Sequence, residues 1–160
     1  MNQVYILVGK IASGKTTWAD HKAKEEKCVL LSHDDLMLVL ADDCEGRAAH
    51  VDRAKRISKY YAKLSASLVD QEISVILDYG FWTKEERGLI TAELTKYNVP
   101  YTMLYITCSE ENRIQRLEKR NQDLLRSDQR EYVIPTVLRE RLDAFFEEPC
   151  NENIEVVYMD

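Results

Sequence analysis

Residues 9–16, Gly-Lys-Ile-Ala-Ser-Gly-Lys-Thr, fill every constrained position of the pattern G-x-x-x-x-G-K-T. The segment follows an apolar run of strand length, 4–8, and precedes residues that fit a helix. Glycines let such a loop turn with its N–H groups inward, and the helix after it presents its positive end to an anion. Lys15 would reach the β- and γ-phosphates, and Thr16 would offer its hydroxyl to Mg²⁺. The predicted phosphate-contacting residues are Gly9, Ile11, Ala12, Ser13, Gly14, Lys15, Thr16 and Thr17.

Two consecutive carboxylates, Asp34 and Asp35, come just after the apolar segment 28–32. Ligands of open α/β sheets bind at the carboxyl ends of strands, so the pair is expected beside the phosphate loop. A hydroxyl that receives a phosphoryl group needs a carboxylate to take its proton and orient it. We expect at least one of the pair to be catalytic, with Asp34 favoured, and one to cap a helix that begins at Leu36. His33 is expected to pack or cap beside the site.

A third carboxylate, Asp78, ends the apolar segment 74–77. A hydrophobic strand that ends in Asp is typical of the residue that holds Mg²⁺ in phosphate-loop enzymes. We therefore predict that Asp78 is catalytic and that it binds metal together with Thr16. The alternative is a turn residue at the end of a strand. The aromatic residues beside it either form the wall of an acceptor pocket or belong to the core and its rim: Tyr79, Phe81 and Trp82.

An arginine series follows further along the chain. Arg113, Arg116 and Arg120 step by three and four residues and so share one face of a helix. We predict a lid at approximately 113–133 that closes over the nucleotide and neutralises charge on the transferred phosphoryl group. Arg116 and Arg120 are predicted to be catalytic and nucleotide-binding, whereas the reach of Arg126 to the phosphates stays open. The alternative is a solvated face with acidic partners, Glu110, Glu111 and Glu118.

The elements that must position these residues alternate between strand and helix. Strands are predicted at 4–8, 28–32, 74–78, 101–107 and 154–159. Helices are predicted at about 16–27, 36–40, about 50–71 and about 83–98, with further helices capped by Ser109 and opened by Pro135. This alternation predicts an α/β domain over 1–160, a parallel sheet of about five strands with helices on both faces. The second strand, 28–32, is expected to be buried.

Bulk composition narrows the class of protein. The 160 residues are 45% hydrophobic and 31% charged, as in an ordinary globular domain. The formal net charge of −6 argues against sequence-independent binding to long nucleic acid. The cysteines lack C-x-x-C spacing, and we expect reduced thiols in a cytoplasmic chain: Cys28, Cys44, Cys108 and Cys150. We see neither a signal peptide nor a membrane span in the sequence.

With these residues assembled, the chain resembles the phosphate-loop kinases grouped around polynucleotide 5′-kinase, the chloramphenicol phosphotransferases and the zeta toxins. The matching segments are 9–17, 32–35, 75–78, 84–87, 116–121 and 134–138. The resemblance implies a three-layer P-loop NTPase fold that is nucleoside-kinase-like. It also implies that Asp34 is the general base, that Lys15 and Thr16 contact phosphate and Mg²⁺, that Asp78 is essential and that Arg120 belongs to the lid.

Two positions depart from that family's pattern. Polynucleotide kinases carry an arginine for the acceptor phosphate three residues after the first Asp, where this chain has Met37. The next lid arginine has no match in register, because Leu124 stands there. Both changes remove positive charge from the acceptor side, so a polynucleotide 5′ end is not the favoured acceptor.

The sequence thus favours an ATP- and Mg²⁺-dependent phosphotransferase acting on a hydroxyl of a small molecule, a nucleotide or a nucleic-acid end. A GTP-driven switch is the second hypothesis, but it needs an N/T-K-x-D motif, which does not occur, and Asp78-Tyr79-Gly80 is too short for the D-x-x-G switch. The third is an ATP-binding regulatory module, or an ATPase, without a phosphoryl acceptor. Acceptor pockets of this fold are built from variable loops, so the sequence names neither the acceptor nor the oligomeric state.

Overall fold

The computed structural model describes residues 1–41, 45–127 and 133–160. Cys44 and residues 128–132 of the predicted lid lie outside this range. The strands are β1 (Val4–Val8), β2 (Cys28–Ser32), β3 (Ser74–Gly80), β4 (Tyr101–Thr107) and β5 (Glu155–Tyr158). The helices are α1 (Lys15–Glu25), α2 (His33–Leu40), α3 (Arg47–Asp70), α4 (Lys84–Lys96), α5 (Glu110–Leu125) and α6 (Thr136–Asp143). Within these ranges, no helix has the length and apolar character needed to cross a bilayer.

The strands form one parallel sheet in the order β2-β3-β1-β4-β5, as the alternation of elements predicts. The chain leaves β1 toward the β2 edge, returns through β3 and continues past β1 to β4 and β5. In register, Ser32 lies opposite Asp78, and Val8 lies opposite Gly80. The carboxyl ends of β1, β2 and β3 therefore meet at one edge of the sheet, where the phosphate loop and the acidic residues follow them.

Two apolar clusters cover the two faces of the sheet. All of β1 is buried, with Val4, Ile6 and Val8 on the face that packs against α3 and α4, and Tyr5 and Leu7 on the face that packs against α1. The side chains of β1 alternate between the two faces because successive residues of a strand point in opposite directions. The central strand is thus buried on both faces.

The second strand departs from prediction, because β2 is only half-buried. It lies at the edge of the sheet, and its Leu30 side chain is 44% exposed. An apolar run of five residues suits either a central or an edge strand, and only the strand order distinguishes the two.

The start of α2 also differs from prediction. The helix begins at His33, and the Ser32 hydroxyl accepts a hydrogen bond from the Asp35 N–H. Neither aspartate is the cap, so the expectation that one of them caps a helix at Leu36 is wrong. Both carboxylates lie in the first turn, where a negative charge is favourable. By contrast, the Ser109 cap of α5 is confirmed, and Thr83 and Glu86 form a capping box at the start of α4.

Candidate active site

A cleft of about 590 Å³ lies at the carboxyl ends of β1, β2 and β3. It is lined by the predicted loop residues from Ile11 to Thr17, by Asp34 and Asp78, and by Arg116 and Arg120. Gly9 is the one predicted site residue that does not line it. A smaller cavity of about 280 Å³ contains Ser13 but no other predicted site residue. The larger cleft therefore brings together residues that lie more than a hundred positions apart in the chain.

Backbone geometry explains both glycines of the loop. A Cβ atom on Gly9 would lie 2.4 Å from the Ile106 carbonyl oxygen, so the loop can only pass the end of β4 with no side chain there. Gly14 has a φ of 109°, a backbone conformation that residues other than glycine rarely adopt. α1 starts directly after Gly14, so its N-terminal N–H groups face the cleft end of the sheet.

Lys15 is held by the loop itself. Its Nζ donates hydrogen bonds to the carbonyl oxygens of Gly9, at 3.0 Å, and Lys10, at 2.8 Å. Burial lowers the pKa of the Lys15 ammonium, and the negative charges of Asp78 and Asp34 partly oppose that shift. The ammonium is thus a half-buried cation in the field of two carboxylates.

The pKa values of those two carboxyl groups are raised by their surroundings. Burial, with the nearby charge of Asp78, raises the pKa of Asp34 to about 6, and Lys15 acts against the shift. Solvent reaches the Asp34 carboxylate through the cleft, yet the protein atoms around it disfavour the charged form. Burial also raises the pKa of Asp78, again against the attraction of Lys15. A carboxyl with a pKa near 6 can take up and release a proton close to neutral pH.

The three arginines of α5 serve different ends. Arg113 is 3% exposed and pairs with Glu110 and Asp143, and its Nη1 donates to the Ile11 carbonyl at 3.3 Å. It therefore joins α5, α6 and the phosphate loop rather than facing the cleft. This position was predicted only to share the face of the other two.

Arg116 and Arg120 do line the cleft. Nη2 of Arg116 donates to the Met159 carbonyl, whereas its buried Nη1 has no hydrogen-bond partner among the residues that the structure describes. Arg120 contributes positive charge at Lys15, Asp34 and Asp78. Arg126 is exposed at the C-cap of α5 and is not part of the cleft wall.

The aromatic residues after Asp78 divide between cleft and core. Phe81 is 1% exposed and belongs to the core, whereas Tyr79 and Trp82 line the cleft. Trp82 Nε1 donates to the Gly9 carbonyl oxygen at 3.2 Å, so the indole is tied to the phosphate loop. His33 is buried and packs beside the site, as expected. Its ring stacks on that of Tyr79 with 4.4 Å between the ring centroids, and its Nε2 hydrogen-bonds to the Ser58 hydroxyl at 2.9 Å.

Several contributors to the site were not predicted. Leu30 and Leu38 line the cleft, although each reads in the sequence as an ordinary core residue. Arg87 is 1% exposed, pairs with Glu152 and donates to the carbonyl oxygens of Phe81 and Trp82. The three residues before it, 84–86, are charged, so no local pattern distinguishes it from a solvated helix residue.

The last residue of α6 and the four residues after it contact both sides of the cleft. Asp143 receives the guanidinium of Arg113 at the base of α5. Four residues later, the Glu147 N–H donates to the Trp82 carbonyl at 2.8 Å, and the Glu147 carboxylate accepts from the Lys84 N–H at 2.9 Å. Residues 143–147 thus join the arginine helix to the aromatic wall.

The residues present fit a nucleotide phosphate and a magnesium ion. Of the six buried side-chain polar atoms that have no partner within the described ranges, two belong to residues that line the cleft: Nη1 of Arg116 and the Ser13 hydroxyl. The Thr16 hydroxyl and the Asp78 carboxylate are oxygen ligands of the kind Mg²⁺ prefers. No cluster of three or more His, Cys, Asp or Glu side chains suited to a metal occurs in the described part of the chain. Mg²⁺ commonly takes few protein ligands and completes its shell with phosphates and water.

Comparison with known proteins places this geometry in a family. Residues 4–149 match the AAA domain family. No curated protein matches the sequence significantly.

Met37 and Leu124, which stand where the resembled kinases have arginines, are both buried here and do not line the cleft.

Solved structures share the fold at low identity. Kti12 of Chaetomium thermophilum in complex with ADP-AlF3 is 18% identical, with a TM-score of 0.69 over 98% of this chain and 89% of that one. The APS kinase CysC of Mycobacterium tuberculosis, in complex with AMPPNP and APS, is 17% identical, with a TM-score of 0.65 over 99% and 89%. A chain of the Pnkp1/Rnl/Hen1 RNA repair complex is 21% identical, with a TM-score of 0.67 over 90% of this chain and 43% of that one. The predicted P-loop kinase-like fold is confirmed.

Proposed function

The chain belongs to the AAA domain family, and from this premise we propose that it is an ATP- and Mg²⁺-dependent phosphotransferase with a hydroxyl group as acceptor. The observation that carries the proposal is the meeting of Lys15, Asp34 and Arg120 in one cleft at the end of a phosphate loop. A binding module needs the loop, but it has no use for a carboxylate with a pKa near 6 beside it.

The loop and α1 would hold the triphosphate. Backbone N–H groups of residues 11–17 and the Lys15 ammonium supply the positive field, and Arg116 offers its Nη1, which has no partner among the described residues. Thr16 and Asp78 would hold the magnesium ion, which neutralises phosphate charge when bound. Lys15 would exchange its bonds to the loop carbonyls for bonds to phosphate oxygens.

Asp34 would act as the general base. The acceptor oxygen forms its bond to the γ-phosphorus while the bond from that phosphorus to the bridging oxygen breaks. The hydroxyl proton passes to the Asp34 carboxylate, and ADP leaves with the bridging oxygen. Lys15 and Arg120 would stabilise the charge that develops on the transferred group. Asp34 is preferred to Asp35 because the charges of Lys15, Asp78 and Arg120 all act on it.

The helix that carries Arg116 and Arg120 would serve as a lid. Its base is held to the loop by Arg113, so the helix would move over the nucleotide by bending beyond that point. We propose that this movement brings Arg120 onto the transferred phosphoryl group. The lid would cover approximately residues 113–133.

The deciding experiment screens metabolites and oligonucleotides as acceptors of phosphate from γ-labelled ATP in the presence of Mg²⁺. Asp34→Asn should lower transfer at least ~100-fold while ATP affinity, measured by calorimetry, changes less than about threefold. Asp35→Asn, the neighbouring carboxylate, is the matched control and should retain most of the rate. Equal losses in both variants would contradict the choice of Asp34. ATP binding without transfer to any acceptor would favour the regulatory module, and stronger binding of GTP would favour the switch.

A further inference from the structure

The cleft has two chemically different sides. The phosphate loop and α5, which follows β4, supply its cations, Lys15, Arg116 and Arg120. The opposite side is built by β2, α2 and the end of β3, and it presents apolar and acidic groups. Since the triphosphate would occupy the cationic side, the acceptor would meet the other.

The side built by β2, α2 and the end of β3, here called the acceptor side, has flat and apolar side chains that neighbouring residues hold in place. Leu30 is 44% exposed although it belongs to a strand, and Leu38 lines the same cleft. Tyr79 is backed by the stacked ring of His33 at 4.4 Å. The Trp82 indole is held by its bond to Gly9, and its carbonyl by Arg87. Covering such surfaces with an aromatic or apolar part of a ligand is favourable, because apolar area is then removed from water.

The charges on this side are negative. Asp34 and Asp35 line it, the carboxylate of Asp78 acts on Asp34, and that of Glu86 acts on Tyr79. A phosphate held here would face like charges at short range in a partly dry site. A neutral group meets no such penalty, and an ammonium group would be attracted.

On the basis of the proposed function, we infer that the acceptor is a neutral or cationic alcohol with a flat or apolar body and no phosphate close to its reacting hydroxyl. Asp35 contributes to this selectivity by its charge, as a specificity-determining residue.

The test uses an acceptor library divided equally among neutral, cationic and phosphorylated alcohols of similar size, with ADP release as the readout. It includes thymidine and thymidine 3′-phosphate, which share the same 5′-hydroxyl. We expect the neutral or cationic member of a matched pair to have a kcat/KM at least about tenfold higher, equivalent to about 1.4 kcal/mol. Equal or greater activity with the phosphorylated members would overturn the inference.

Variants at Asp35 separate charge from shape. Asp35→Asn should reduce the preference within a matched pair at least about threefold, whereas Asp35→Glu, which keeps the charge, should preserve most of it. Raising the salt concentration should weaken the preference of the unaltered protein, because screening acts on charge and not on shape. A preference that is the same in Asp35→Asn, or unaffected by salt, contradicts the assignment to Asp35.

The two proposals fail in different ways. A protein that does not bind AMPPNP in calorimetry contradicts the proposed function. One that binds AMPPNP and releases ADP only with the phosphorylated members contradicts the acceptor inference and leaves the proposed function standing.

Discussion

Replacing Asp34 by Asn is expected to make the protein more stable near neutral pH. The folded state raises the pKa of this carboxyl from its ordinary 3.8 to about 6, chiefly through burial. Between those two values the folded chain holds more protons than the unfolded chain, so stability falls as the pH rises through that window. Asparagine carries no charge to be disfavoured, so the variant escapes this loss.

The size of the gain follows from the environment of the carboxylate. A pKa change from 3.8 to about 6 corresponds to at most about 3 kcal/mol. Solvent reaches Asp34 through the cleft, and screening reduces the figure to roughly half. The variant also loses a favourable charge in the first turn of α2, at a cost of about 0.5 kcal/mol. The net expectation is a gain of about 1 kcal/mol at pH 7.5, most of which is absent at pH 4.

Urea denaturation at pH 7.5 and pH 4 measures this difference. Glu85→Gln provides the matched control, because Glu85 occupies the same second position of a helix, α4, with a hydroxyl cap before it. Its partner Lys55 lowers the pKa of Glu85, so this variant should be slightly less stable at pH 7.5, the opposite sign. A loss of stability in Asp34→Asn at pH 7.5, or a gain of the same size at both pH values, would refute the reasoning.

Three further predictions concern the same site. Arg87→Ala should lower the free energy of unfolding by about 3 kcal/mol in urea denaturation, since it leaves the largely buried Glu152 unpaired. Gly9→Ala should abolish ATP binding in calorimetry, because its Cβ would lie 2.4 Å from the Ile106 carbonyl oxygen; unchanged affinity would show that the loop has another path. If Asp34 is the base, phosphoryl transfer should fall about tenfold per pH unit below pH 6 and level off above pH 7, as its pKa of about 6 requires. A rate that stays constant down to pH 5 would contradict that role.

The phosphate loop and the strands around it were predictable because their signals are local. The G-x-x-x-x-G-K-T pattern constrains backbone and chemistry together, and Asp78 follows the apolar residues of a strand that must reach the same edge of the sheet. The capping box at the start of α4 likewise depends only on Thr83 and Glu86, which lie three residues apart. Signals of this kind do not depend on the rest of the chain.

Features that depend on distant partners were not predictable. Spacing places Arg113 on the face of Arg116, but its buried role depends on Asp143, thirty residues further on. The exposure of Leu30 depends on the position of β2 at the edge of the sheet. The start of α2 was ambiguous for another reason, because Ser32 and Asp34 are both good caps and only tertiary packing chooses between them.

Residues 143–147 place a short covalent tether between the two walls of the cleft. Even fully extended, five residues span no more than roughly 17 Å, so the tether has little slack. A shift at the start of the arginine helix would therefore be passed to Trp82. Under the proposed function, nucleotide capture and acceptor recognition would be mechanically linked, and a small molecule bound beneath the tether would disturb both at once.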